Sequence, residues 1–97
     1  MLERNFQAGL IREIKDRIPG CVVLKNDANY LQGFPDISVI YGLHIGVLEC
    51  KKSADEPHQP NQDYYVEHIN EQGGFARFIY PENRNEVLDE LQQSFGL

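Results

Sequence analysis

Apolar residues near the start of the chain recur at the spacing of one helical face. The positions that lie four residues apart are Phe6, Leu10, Ile14 and Ile18. Such a stripe is typical of a helix that packs one side on a core, and Pro19-Gly20 is a stop signal. The pattern predicts an amphipathic helix from Leu2 to Ile18.

Shorter apolar runs follow this helix. The run from Cys21 to Leu24 is suited to a buried strand, and a polar loop from Lys25 to Gly33 comes after it. The segments Asp36 to Tyr41 and Ile45 to Lys51 are β-like, and the turn residues 42–44 between them predict a hairpin.

The second half of the chain alternates helix and strand. Pro60 suits the first position of a helix that ends at Gly73-Gly74. Residues 75–80 are predicted to form another strand, which ends at Pro81, and a last helix is predicted from Arg84 to Phe95. Asn83 is expected to cap that helix in a capping box with Glu86.

The predicted order is helix, three strands, helix, strand, helix. A strand–helix–strand crossover after a hairpin implies an α/β fold with a mixed central sheet and helices on both faces. At 97 residues, all of the chain (1–97) is expected to form a single domain. Such a small core is only marginally stable, which leaves room for dimerisation.

The composition and charge of the chain limit the kinds of protein it can be. No apolar run approaches the roughly 20 residues that span a bilayer, and the first residues do not resemble a signal peptide. We therefore expect an intracellular, cytoplasmic protein with Cys21 and Cys50 as buried free thiols. The net charge of −6 argues against nucleic-acid binding unless metal ions neutralise some of the acidic residues.

Two short motifs carry candidate chemistry. Pro35-Asp36 places an acid at the start of a strand, and Glu49-Cys50-Lys51 lies near the end of the next strand. Residues two apart in a strand share a face, so Glu49 and Lys51 project together and Cys50 projects away from them. Pairing about the hairpin turn would bring Asp36 close to Glu49.

This patch suits phosphodiester cleavage. Mg²⁺ prefers one or two carboxylates and keeps several waters, one of which can attack phosphate. A lysine beside such a site can act on that water or offset phosphate charge. Each motif alone has a simpler explanation: Pro35-Asp36 as an ordinary turn, and Glu49 with Lys51 as a solvated ion pair on a strand. The presence of both motifs on adjacent strands of one hairpin favours a catalytic role over these structural explanations.

Glu3 projects between Phe6 and Leu10, inside the apolar stripe of the first helix, as does Gln7. An acid on a core-facing side is costly unless it is compensated, and a metal site would compensate it. The alternative is a solvated side chain at a frayed terminus. Glu13 projects at the solvent edge of the stripe.

Basic residues and histidines give weaker signals. Arg4, Arg12 and Lys15 project along one flank of the first helix, either as a solvated face or as phosphate contacts. The histidines lack zinc-site spacing, and we expect them to be structural or solvent-facing. They are His44, His58 and His68.

At these residues the chain resembles the PD-(D/E)XK nuclease superfamily, and within it the virus-type replication-repair nuclease (VRR-NUC) family. Pro35-Asp36 and Glu49-Cys50-Lys51 form the pattern that names the superfamily. Glu3 with Gln7 is similar to the first-helix acid and glutamine of the family, and Gln62 to the glutamine that opens its second helix. The predicted element order agrees with its restriction-endonuclease-like αβββαβ core, followed here by a C-terminal helix.

The resemblance implies site roles. Asp36, Glu49 and the backbone carbonyl of Cys50 would bind Mg²⁺ or Mn²⁺, with Glu3 completing the shell directly or through water. Lys51 would assist the nucleophile. Gln62 would orient Lys51 or water.

The implied activity is metal-dependent, structure-selective DNA endonuclease activity. Minimal members of this kind, from phages and bacteria, resemble homodimers that resolve four-way (Holliday) junctions, with branched DNA as the partner. The alternatives are a flap, single-strand or nicking nuclease, and a catalytically silent dimer that binds DNA or protein. The intact set of Asp36, Glu49 and Lys51 argues against a silent protein.

Overall fold

The computed structural model describes residues 2–97, and this range contains seven principal elements in the predicted order. They are α1 (Glu3–Arg17), β1 (Val22–Lys25), β2 (Ile37–Tyr41), β3 (His44–Cys50), α2 (Pro60–Glu71), β4 (Phe75–Ile79) and α3 (Arg84–Ser94). A single turn of 3-10 helix, Pro81–Asn83, precedes α3. The expected αβββαβ core with an added C-terminal helix is confirmed.

The four strands form one mixed sheet in the order β1-β2-β3-β4. β1, β2 and β3 are antiparallel neighbours, while β4 runs parallel to β3 because α2 forms the crossover between them. The register of the hairpin pairs Tyr41 with His44 and Ile37 with Leu48. The two-residue turn between β2 and β3 contains Gly42 at φ +61°, a conformation that glycine tolerates best.

The two faces of the sheet are covered unequally. Helices α1 and α3 bury one face around Leu10, Leu48 and Leu88. Helix α2 covers only part of the other face, where Val66 packs against Val47. A candidate site near the start of α2 therefore lies where one helix, the sheet and open solvent meet.

The run from Cys21 to Leu24 is a half-exposed edge strand, so the prediction of a buried strand is wrong. Val22 is 52% exposed and Leu24 47% exposed, because α2 does not extend over this side of the sheet. Both cysteines are free thiols, but Cys21 is only half-buried, whereas Cys50 is buried.

Asn83 does not cap α3 as expected. Its side-chain oxygen accepts the N–H of Tyr80 at 2.8 Å, and its amide nitrogen donates to the carbonyl of Phe78 at 3.1 Å. The 3-10 turn before α3 redirects this side chain towards the end of β4. Within residues 2–97, no helix is long and apolar enough to cross a membrane.

Glu13 joins α1 to α3. Its two oxygens accept Arg17 Nε at 2.8 Å and Arg84 Nε at 2.7 Å. Partial burial would raise the pKa of Glu13, but the hydrogen bonds from Arg84 and Arg17 outweigh that effect, so the pKa is lowered. Glu13 therefore lies in a structural ion-pair cluster and not simply at a solvent edge.

Glu13→Gln is expected to lower the free energy of unfolding by about 0.2–1 kcal/mol at neutral pH, the range measured for ion pairs at protein surfaces. Because the pKa is lowered on folding, the contribution is present above the ordinary pKa and is lost as pH falls through the folded value. Denaturant unfolding at pH 7 and at pH 3 measures this, with exposed Asp16→Asn on the same helix as the control. An equal effect at both pH values would contradict the assignment.

Candidate active site

The two candidate carboxylates meet across the hairpin. Since Ile37 pairs with Leu48, the residues just outside that pair, Asp36 and Glu49, face each other on the α2 side of the sheet. The Glu49 and Asp36 side chains lie within hydrogen-bonding reach of each other, and Asp36 Oδ2 accepts the backbone N–H of Cys50 at 2.8 Å. The structure thus brings these groups together as the hairpin predicted.

The turn before β2 fixes Asp36. Asn26 donates through its side chain to the carbonyl of buried Pro35 at 2.8 Å and through its backbone to the carbonyl of Asp36 at 2.8 Å. Gly33 has φ +84°, and a Cβ there would lie 2.3 Å from Asn61 Cβ. Only glycine allows this turn to approach the start of α2 so closely.

Glu49 is held in an unfavourable environment for a negative charge. Its side chain is only 5% exposed. Burial raises the pKa of Glu49 to about 9, and the nearby Asp36 carboxylate adds to the rise, against an opposing effect of Lys51. Two carboxyl groups in contact, one of them buried, need either a shared proton or an added cation.

A chain of hydrogen bonds links Lys51 to this pair. Lys51 is 3% exposed, and its ammonium donates to Gln62 Oε1 at 2.6 Å and to the carbonyl of Pro57 at 3.1 Å. Gln62 Nε2 in turn donates to Glu49 Oε2 at 3.2 Å. Gln62, in the first turn of α2, therefore lies between the lysine and the carboxylate.

Glu3, in the first turn of α1, lies near the charged groups of the site. Partial burial raises the pKa of Glu3, with further contributions from the carboxylates of Asp36 and Glu56. Gln7 is buried, and its side-chain oxygen has no hydrogen-bond partner within the described residues. These facts favour a Glu3 that faces the site over a fully solvated terminus.

Glu3 does not, however, complete a set of three side-chain ligands. In the described part of the chain, no three histidine, cysteine, aspartate or glutamate side chains are arranged to hold a metal ion. A role for Glu3 in metal binding, directly or through water, stays a prediction.

The sequence motifs do not identify Glu56, which the structure places beside Lys51. Its Oε2 lies 3.4 Å from Lys51 Nζ, and its Oε1 accepts the backbone N–H of Lys52 at 2.8 Å. No sequence signal distinguishes Glu56 from other acids in the loop 52–59. His58 has contacts of its own: its ring stacks on that of Phe78 with a centroid distance of 3.8 Å, and its Nδ1 lies 2.9 Å from Asp63 Oδ1.

The basic strip lies on the surface of α1. Arg4, Arg12 and Lys15 are all exposed, and within residues 2–97 none of them forms a salt bridge. Their exposure leaves their charges available to solvent or to phosphate. A role in DNA binding stays a prediction.

The side chains around Asp36 and Glu49 offer oxygen donors, which hard divalent cations prefer. The Cys50 side chain packs in the core on the opposite face of the sheet, and burial raises the pKa of its thiol. That thiol is therefore no candidate ligand. The arrangement suits a cation such as Mg²⁺ or Mn²⁺ better than a thiolate-bound metal.

Comparisons with known proteins bear on the fold. No protein-family model matches the chain, and no curated protein matches it. The chain is similar to a solved structure described as a VRR_NUC domain, with a TM-score of 0.64 and 24% sequence identity. The match covers 89% of this chain and 92% of that one. It shows that the two share a fold, in agreement with the restriction-endonuclease-like architecture expected from the sequence.

Proposed function

We propose that this protein is a metal-dependent endonuclease that hydrolyses phosphodiester bonds in DNA. The observation that carries the proposal is the contact between Asp36 and buried Glu49 beside the buried ammonium of Lys51. Burying these groups together costs free energy, and a protein that only binds DNA or a partner has no need of that arrangement. The fold shared with a VRR_NUC domain supports the same function.

The oxygen donors around Asp36 and Glu49 are suitable ligands for Mg²⁺ or Mn²⁺. Burial and, after it, the Asp36 carboxylate raise the pKa of Glu49, and a divalent ion would offset the cost of ionising this group. Asp36, Glu49 and the Cys50 carbonyl would hold the ion, with Glu3 completing the shell directly or through water. Such an ion, when bound, makes water a stronger nucleophile and offsets charge on phosphate.

The residues of the chain have separate tasks in the proposed reaction. The Lys51 ammonium orients the attacking water or stabilises negative charge on the phosphate oxygens. The side-chain carbonyl oxygen of Gln62 accepts the Lys51 ammonium, and the amide nitrogen of Gln62 donates to Glu49. Gln62 thereby fixes the distance between Lys51 and Glu49. The Cys50 N–H holds one oxygen of Asp36.

Plasmid cleavage tests the activity. The wild-type protein is expected to convert supercoiled DNA to nicked or linear forms with Mg²⁺ or Mn²⁺ and to lose this activity with a chelator. Cleavage that persists in excess chelator would contradict metal dependence. Tight DNA binding without cleavage under any of these conditions would favour a catalytically silent protein.

Glu3→Gln is expected to raise the metal concentration that gives half-maximal activity by about 10-fold, as for other residues that act through ligands or water. Asp16→Asn is the matched control, because Asp16 is an exposed acid on the same helix. Glu13→Gln is unsuitable, since Glu13 is tied to two arginines. Metal titrations of activity measure the shift. Equal shifts in both variants would indicate a general effect of charge and not a role for Glu3.

The proposed working form is a two-fold symmetric homodimer that prefers four-way junctions. Exposed apolar side chains on the side of the sheet that α2 leaves open support self-association; they are Val22, Leu24 and Ile45, and Leu43 is exposed in the turn beside them. A C₂ dimer presents two symmetry-related sites, which suits two opposed cuts in a junction. It also doubles the basic strip, so contacts to separate arms can act together.

Light scattering at micromolar protein and mapping of cut sites test this form. We expect a dimer mass, paired cuts in a labelled junction and a junction affinity that falls steeply with salt. Substituting Arg4, Arg12 and Lys15 is expected to weaken junction binding more than metal binding. A monomer that cuts junctions and plain duplex equally would favour a flap, single-strand or nicking nuclease.

A further inference from the structure

The loop between β3 and α2 supplies a carboxylate to Lys51 from outside the Asp36–Glu49 pair. Glu56 Oε2 lies 3.4 Å from Lys51 Nζ, and Glu56 Oε1 accepts the Lys52 N–H at 2.8 Å. The hydrogen bond from Lys52 is the largest cause of a lowered pKa for Glu56, and Lys51 also contributes. Glu56 is therefore ionised at neutral pH.

Lys51 needs such a counter-charge. Its side chain is 3% exposed, so water cannot solvate the ammonium, and its two hydrogen-bond acceptors, Gln62 and Pro57, are uncharged. Glu49 resists ionisation, and a divalent ion held by Asp36 and Glu49 would cancel much of the attraction of these carboxylates for Lys51. Glu56 would then be the carboxylate that still offsets the charge of Lys51.

We infer that Glu56 is a positioning residue that holds the Lys51 ammonium in place for the reaction. The inference rests on the proposed nuclease function for its effect on rate, but the geometry concerns Lys51 itself. One oxygen of Glu56 secures the loop at Lys52 while the other faces Lys51. The loop and the lysine are thereby fixed relative to each other.

Glu56→Gln separates the charge from the loop contact. Glutamine retains a carbonyl oxygen that can accept the Lys52 N–H but removes the negative charge near Lys51. Asp55→Asn is the matched control, because it removes the same charge from an exposed neighbouring residue. Glu56→Asp keeps the negative charge and tests whether a carboxylate at this position is sufficient to hold Lys51. It also provides a second variant if Glu56→Gln does not fold.

Two measurements are made on each variant. The first is the ¹H–¹⁵N NMR signal of the Lys51 ammonium, visible when the group is buried and hydrogen-bonded, and assigned by its loss in Lys51→Met. The second is kcat for DNA cleavage at saturating metal. We expect Glu56→Gln to lose or shift the signal and to lower kcat by about 10- to 100-fold, as a misplaced reacting group does. Asp55→Asn should change neither, and Glu56→Asp should retain the signal and most of the rate.

An unchanged Lys51 signal or an unchanged kcat in Glu56→Gln would overturn the inference. So would loss of the signal and the rate in Glu56→Asp. If the wild-type protein does not cleave DNA, the proposed function fails. The Lys51 signal in the same variants then still decides whether Glu56 positions the lysine.

Discussion

Asp36→Asn and Glu49→Gln are each expected to reduce DNA cleavage below detection while the protein stays folded. Each substitution removes a proposed metal ligand but preserves the shape of the side chain. Glu49→Gln is also expected to raise the melting temperature of the metal-free protein, because a buried group that resists ionisation is replaced by a neutral one. Cleavage assays and thermal unfolding in chelator measure the two effects.

Glu67→Gln is the control for these variants, since Glu67 is an exposed acid on α2. It should leave both activity and melting temperature close to those of the wild type. Near-normal turnover by Asp36→Asn or Glu49→Gln would remove the basis of the proposed site. A large fall in melting temperature would show instead that the pair stabilises the fold.

Lys51→Met is expected to lower kcat by about 10²- to 10⁴-fold, the range for a positioned group that acts on a proton. Methionine fills the space of the buried lysine stem but carries no charge. Metal affinity should be retained, because Lys51 donates to Gln62 and Pro57 and is no ligand in the proposed site. Single-turnover kinetics and calorimetric metal titration measure the two quantities.

The matched control is Lys52→Met, which removes the same charge from the exposed neighbour. This variant should keep both activity and metal affinity. If metal affinity collapses together with activity in Lys51→Met, Lys51 instead maintains the structure of the site. The comparison thus distinguishes a role in the reaction from a role in assembling the carboxylates.

The sequence by itself determined where the helices and strands lie and that Asp36 and Glu49 come together. Helical spacing located α1, Pro60 marked the start of α2, and a short turn dictated the β2–β3 hairpin. These features depend on local periodicity and turn chemistry, which a sequence records directly. Because strand pairing follows from a hairpin, the contact between Asp36 and Glu49 was also predictable.

Only the tertiary structure decided how each element is covered and which distant groups meet. The apolar run of β1 does not reveal that α2 leaves one of its faces open to solvent, so its exposure could not be predicted. The loop that brings Glu56 to Lys51 has no periodic pattern, and its conformation depends on contacts with residues far apart in sequence. Burial likewise depends on the whole packing arrangement, which is why only the folded structure shows Glu49 as a carboxyl group that resists ionisation.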